Sequence, residues 1–198
     1  MSKEPRFIHL RSHSEYSLLE GALRLKKLPA LCRSAGMPAL ALTDTNNMFA
    51  ALEFSIAMSG AGIQPIIGCQ VDMTYLSGDA ASGRAQNDAP APIVLLAQSE
   101  VGYEHLMKLN SCLYIDNGGV LPQVSVDDLT RYASGIICLT GGANGPVGRL
   151  LQAGQTPAAQ ELMDRLKEIF ADRLYVELQR HPGEDGQPEA ERLTERGF

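Results

Sequence analysis

The chain has 198 residues, 44% of them hydrophobic and 20% charged, with a formal net charge of −6. That length suits one core, and no apolar run approaches the roughly 18 residues that span a bilayer, which excludes a helical membrane protein. The acidic balance, without a block of lysine or arginine, argues against a free-standing nucleic-acid binder.

The opening "MSKEPRF" lacks the apolar core of a secretory signal. Cys32, Cys69, Cys112 and Cys138 lie far apart and form none of the C-x-x-C pairs that structural zinc favours. They are expected to be reduced, small buried hydrophobes of a cytoplasmic protein.

Short apolar runs then alternate with helix-like segments. The first strand is expected over residues 7–10, where "HLRSH" sets His9, Arg11 and His13 on one face by strand alternation. An H-x-H pair there would suit a metal, so the arginine between the histidines is anomalous. Further strands are expected over 39–43, 65–73, 93–97, 135–140 and 174–178. Most are continuously apolar, as strands buried on both faces of a parallel sheet are. Gly36 and Gly60 are plausible helix stops, Ser99 precedes a helix carrying Leu106, Met107 and Leu109, and Ser125 with Asp128 resembles a capping box. Thr156 is expected to cap a helix with Pro157 at its first position and a buried stripe of Ala158, Leu162, Leu166 and Ile169. Residues 77–91 lack periodicity and read as a mobile loop inside a single domain spanning 1–198. The strand–helix alternation argues for an α/β protein, either a barrel or an open sheet.

"TGGANGPVGRLL" from Thr140 follows a strand and opens a helix, but it lacks both the P-loop Lys-Ser/Thr and the G-x-G-x-x-G spacing. A tight strand-to-helix turn is the better reading. No G-x-S-x-G nucleophile elbow is present. In α/β barrels the chemistry sits where strands end, which directs attention to Arg11, His13, Asp44, Thr45, Gln70, Pro92, Gly141 and Gly142.

"FIHLRSHSEYSLLEG", "ALALTDTNNMFAALEF", "GIQPIIGCQ", "IVLLAQSEVGYEHLMKL", "GIICLTGGANGPVGRLL" and "LYVELQRH" together resemble the N-terminal PHP domain of the alpha subunit of bacterial DNA polymerase III, of the proteobacterial kind. The resemblance implies a distorted seven-stranded (β/α)7 PHP barrel, which in intact members holds Zn, Mn or Mg at one end. The implied metal positions fall on Arg11, His13, Glu20, Thr45 beside Asp44 in the T-D motif, Gln70, Pro92 and Gly142, while a late D-x-H would lie past Phe198. Of the seven, only His13 and Glu20 remain ligand-like. Proline and glycine side chains cannot ligate, threonine and glutamine are weak neutral donors, and arginine brings a fixed positive charge. The resemblance thus implies vestigial metal-site positions, with no cofactor and no catalytic residue in this chain.

His13 is then either a former ligand or, preferably, a hydrogen-bonded barrel histidine. His9 reads as structural, and His105 and His181 lack a catalytic setting. Asp44 could simply cap the following segment. Arg11 is expected to pair with Asp44 or Glu20. Two functions compete: a structural and interaction module of a DNA-directed DNA polymerase, partnered by the rest of the alpha chain and by the epsilon proofreading exonuclease, or an active metal-dependent phosphoesterase. With six strand candidates against the family's seven, the barrel is expected to be incomplete, to leave an open edge and to self-associate there.

Overall fold

The computed structural model describes residues 7–77, 86–87, 89–115, 121–181 and 188–198. Its first regular unit is right after the opening segment. Helix α1 (Leu28–Ala35) is stopped by Gly36 at φ +67, and the chain enters strand β1 (Ala39–Leu42), all four residues of which are buried. Helix α2 (Ala51–Gly60) carries it back to strand β2 (Gln64–Met73), parallel to β1 with Ala39 opposite Gln64. Gly60 stays inside α2; the positive φ falls two residues later at Gly62.

After β2 the pattern changes. Leu76–Ser77 (β3) and Gln86–Asn87 (β4) form a small antiparallel pair, and the chain returns as β5 (Ala91–Ala97), antiparallel to β2. The loop expected over 77–91 is therefore bounded by strand at both ends, and residues 78–85 and 88 lie outside the described residues. Pro92 sits inside β5 and not ahead of it. Helices α3 (Glu100–Ile115) and α4 (Val126–Tyr132) lead to β6 (Ile136–Leu139), antiparallel to β5. Helices α5 (Pro146–Gln152) and α6 (Thr156–Phe170) lead to β7 (Leu174–Tyr175), parallel to β6, and α7 (Glu189–Gly197) follows.

The sheet order β1-β2-β5-β6-β7 is thus mixed, not parallel throughout. The strands are apolar on both sides for another reason. One set of side chains (Cys69, Val71, Ile93, Leu95, Ile136, Cys138) packs outward against α3 to α6, while Ala41, Val94, Leu96 and Leu139 face inward as a smaller cluster. A second outer cluster joins Leu40 and Leu42 to Phe54 and Met58 of α2. Burial on both faces requires only helices outside and a closed interior, whichever way neighbouring strands run. Truncating a fully buried Leu95 or Ile93 would cost about 2–5 kcal/mol.

Local signals behave as the sequence predicts at several helix ends. Ser125 and Asp128 form a reciprocal capping box, Ser125 N–H donating to Asp128 Oδ2 at 2.8 Å and Asp128 N–H to Ser125 Oγ at 3.1 Å. Ser99 Oγ accepts from Gly102 N–H at 3.2 Å. Thr156, by contrast, is already helical, and Gln155 takes the position before it. The buried stripe of α6 is Ala159, Leu162, Leu166 and Phe170, with Ala158 and Ile169 half-buried at its margin.

The segment expected as the first strand runs beside β1 without forming a regular ladder. Ala41 N–H donates to His9 C=O and Thr43 N–H to Ser12 C=O, at 2.9 and 2.8 Å. Three steps on one side face two on the other, so the segment bulges at Leu10 and Arg11. At the far end β7 stops at Tyr175, shorter than the expected 174–178. Among the described residues no ladder joins β7 to the opening segment. The α/β barrel is open there, around a cavity of about 670 Å³ lined by Leu10, Ile66, Leu96, Ile137, Val176 and Leu178 among others.

Candidate functional site: a hydrogen-bonded network at one end of the barrel

The positions singled out in the sequence converge at the end of the barrel where β1 and β6 finish and β5 begins, beside Gln70 of β2. The bulge presents Arg11 to this end, anchored by Ser12, whose N–H donates to Thr43 Oγ1 at 3.0 Å. Gln70 arrives on β2, where its backbone N–H donates to Asp44 C=O and its C=O accepts from Asn46 N–H. These two long side chains meet. Arg11 Nε and Nη2 both donate to Gln70 Oε1, at 3.1 and 2.7 Å.

The other guanidinium nitrogen turns to Glu177. Arg11 Nη1 donates to Glu177 Oε1 at 2.9 Å, with side chains only 20% and 15% exposed, and more weakly to Gly141 C=O at 3.4 Å. Neither Asp44 nor Glu20, the expected partners, binds Arg11. Both are already engaged elsewhere, Asp44 by Ser14 and Ser17 and Glu20 by Thr45.

Glu177 lies two residues past β7, held by its N–H donating to Thr140 Oγ1 at 3.0 Å. Gln179 Nε2 donates to the same Glu177 oxygen at 2.9 Å. Gly142 makes room for this: a Cβ there would lie 2.9 Å from Gln179 Cδ. Glu177 and Gln179 were not singled out from the sequence. The strand-end rule reaches Gln179 directly after the expected strand 174–178, and it reaches Glu177 only once that strand is known to stop at Tyr175.

His13 and Thr45 complete the network. His13 Nε2 lies 3.1 Å from Gln70 Oε1, an atom that only accepts, so this nitrogen carries the proton and donates. Gln70 Nε2 donates to Thr45 Oγ1 at 3.2 Å, and Thr45 Oγ1 donates to Glu20 Oε2 at 2.5 Å. Glu20 is 3.8 Å from His13 Nδ1 and half exposed. A continuous path therefore runs from Glu177 through Arg11 and Gln70 to Thr45 and Glu20.

Asp44 stands behind this surface, 2% exposed. It accepts from Ser14 N–H, Ser14 Oγ and Ser17 Oγ at 2.6, 2.7 and 2.6 Å. It does not cap α2, whose preceding residue is Ala50. Its role is to fix the turn that delivers His13 and Glu20, because a buried carboxylate must fill its lone pairs with donors. Beneath it Cys69 donates from Sγ to Asp44 C=O at 3.3 Å, and burial pushes this thiol up to about 12.

Pro92 contributes backbone only: its carbonyl abuts Gly141, where a Cβ would approach to 2.0 Å. Gly141, at φ +81, opens the tight strand-to-helix turn expected for "TGGANGPVGRLL". His9 packs edge-on against Phe7, His105 faces Ser134 C=O from α3, and His181 contacts Glu191 of α7, all outside the network.

The residues present do not fit a cluster of zinc, manganese or magnesium. Such a cluster needs several carboxylates and free imidazole nitrogens around its cations. Here a permanent cation lies among the donors, His13 Nε2 is spent as a donor, and the acidic position of β2 is an amide. Among the described residues no three His, Cys, Asp or Glu side chains gather as a metal site.

Comparison with known proteins places this geometry. The family model for the PHP domain matches residues 9–181. The DNA polymerase III subunit alpha of Caulobacter vibrioides is 42% identical over 177 residues, 88% of this chain but 15% of that protein. That of Borreliella burgdorferi is 36% identical over 194 residues, covering 98% of this chain and 17% of the relative. The chain therefore spans about one sixth of the length of these relatives. A crystal structure of a candidate metal-dependent phosphoesterase from Bifidobacterium adolescentis has the same fold, with a TM-score of 0.54 at 11% identity over 98% of this chain and 85% of that one. On the family match and the open α/β barrel together, the chain belongs to the PHP domain family.

Proposed function

We propose that this PHP domain is part of a DNA polymerase III alpha chain in bacterial DNA replication, and that it serves there as a metal-free structural and interaction module. The parent chain is a DNA-directed DNA polymerase, a cytoplasmic nucleotidyltransferase. This segment contributes no catalytic residue to it, braces the polymerase and carries the epsilon proofreading exonuclease. DNA is met only through the rest of the polymerase, consistent with the acidic balance of the segment.

One observation carries the reading: the guanidinium of Arg11, tied to Gln70 and Glu177, holds a fixed charge among the vestigial positions Arg11, His13, Glu20, Thr45, Gln70 and Gly142. A cation at that point repels any metal that the remaining donors could bind.

The test is elemental analysis of the protein after dialysis against zinc, manganese and magnesium, alongside phosphatase and 3′-to-5′ exonuclease assays in each metal. Less than one tightly held metal per chain and no metal-dependent hydrolysis are expected. Two or more retained metals with hydrolysis would sink the proposal in favour of an active phosphoesterase. Sedimentation with a purified epsilon exonuclease tests the carrying role separately: a stable complex is expected, and its absence would refute that role.

A further inference from the structure

In a parallel α/β barrel the outer face of each strand is covered by the helix that follows it. β2 departs from this. The described part of its connection to β5 carries only β3 and β4, and its first four residues, Gln64 to Ile67, are exposed or half-buried. They form the floor of a groove of about 580 Å³ whose wall is the first two turns of α3. Tyr103 and Met107, one helical turn apart on that wall, are 37% and 42% exposed.

The rim has one sign of charge. Glu100 and Glu104 are the charged residues of the groove, and among the described residues neither lies within 4 Å of a cationic side chain. Lys108, one turn on, is instead placed 6.0 Å from the ring of Tyr132 on the α4 side. Between Arg33 and Lys108 the described residues include no lysine or arginine.

The edge of β2 does not invite an added strand. Pro65 has no N–H, and its carbonyl already accepts from Gln64 Nε2 at 3.0 Å. What the groove offers is side chains at helical spacing, the arrangement that receives another helix. We propose that the groove between the start of β2 and α3 docks an amphipathic helix of a partner protein. Apolar side chains one turn apart seat against Pro65, Ile67, Tyr103 and Met107, and flanking lysines or arginines meet Glu100 and Glu104. The acidic rim selects a basic protein segment and repels nucleic acid.

The test uses the 198-residue chain and a fluorescent leucine–lysine amphipathic helix of about 16 residues, with a scrambled peptide of the same composition as reference. Saturable binding is expected for the amphipathic peptide and not for the scrambled one, weakening as salt rises. The double change Glu100→Lys, Glu104→Lys and, separately, Met107→Glu should each weaken binding by about tenfold or more. An equal charge change on the outer face of α6, Glu161→Lys with Glu168→Lys, should leave it within about twofold. Absence of saturable binding overturns the proposal. So does equal weakening by the two charge reversals, since net charge alone would then account for binding.

Discussion

Arg11 Nη1 donates to Glu177 Oε1 across 2.9 Å, joining the first extended segment to the residues after the last strand although 166 positions separate them in the chain. No ladder of the described residues crosses this gap, so the ion pair, with the weaker bond from Arg11 to Gly141 C=O, ties the two sides of the opening at this end. Removing one partner leaves a mostly buried charge unpaired. Arg11→Ala or Glu177→Ala should each destabilise the fold by about 2–4 kcal/mol in denaturant titration. The double change to Met and Leu should cost less than either single truncation, because no stranded charge remains. A loss below 0.5 kcal/mol for both single variants, on the order of a surface substitution, would show that the pair holds nothing together.

Asp44 gathers three donors from one turn, so its effect should be local and large. Asp44→Ala should cost about 2–4 kcal/mol, and Asp44→Asn somewhat less, since an amide oxygen still accepts. Hydrogen exchange provides the spatial check. The amides of Ser14 and Thr45, which donate to Asp44 and to Ser17, should lose protection in Asp44→Ala while those of β5 keep theirs.

Gly141 and Gly154 both have positive φ, +81 and +70, yet only one is crowded. A methyl group at Gly141 would lie 2.0 Å from the Pro92 carbonyl oxygen, whereas nothing lies within 4 Å at Gly154. Gly141→Ala should therefore cost about 3 kcal/mol or more, and Gly154→Ala about 1 kcal/mol, the price of the left-handed backbone alone. Equal melting temperatures for the two variants would contradict this difference.

The thiols of Cys69 and Cys138 are raised by burial from 9.0, Cys69 to about 12. The folded protein holds these protons more tightly than the unfolded chain does. Their contribution to stability is therefore whole below pH 9 and is lost as the pH climbs from 9 toward 12. Melting temperature should fall over that window, and less steeply in a Cys69→Ala, Cys138→Ala variant. At pH 8 a thiol reagent should modify half-buried Cys112 while Cys69 and Cys138 react only on unfolding.

Short-range chemistry was legible in the sequence. The capping box of Ser125 and Asp128, the stop at Gly36, the β1 and β2 positions and the tight turn after β6 all depend on residues within a few positions of one another, and all are present. The anomaly of Arg11 between two histidines was visible too, because alternation shows which side chains share a face. What the sequence by itself could not show was what Arg11 would meet. Glu177 reaches it, with Gln179 bonded behind, only because β6 and β7 lie side by side, and Asp44 is withdrawn from it only because Ser14 and Ser17 fold over its carboxylate. Strand direction was hidden for the same reason: an apolar run records that both faces are buried, whereas parallel or antiparallel pairing is decided by the connections, as at β2 and β5. A partner 166 residues away leaves no periodic trace in a chain, since tertiary packing selects it by distance and charge once the barrel has formed.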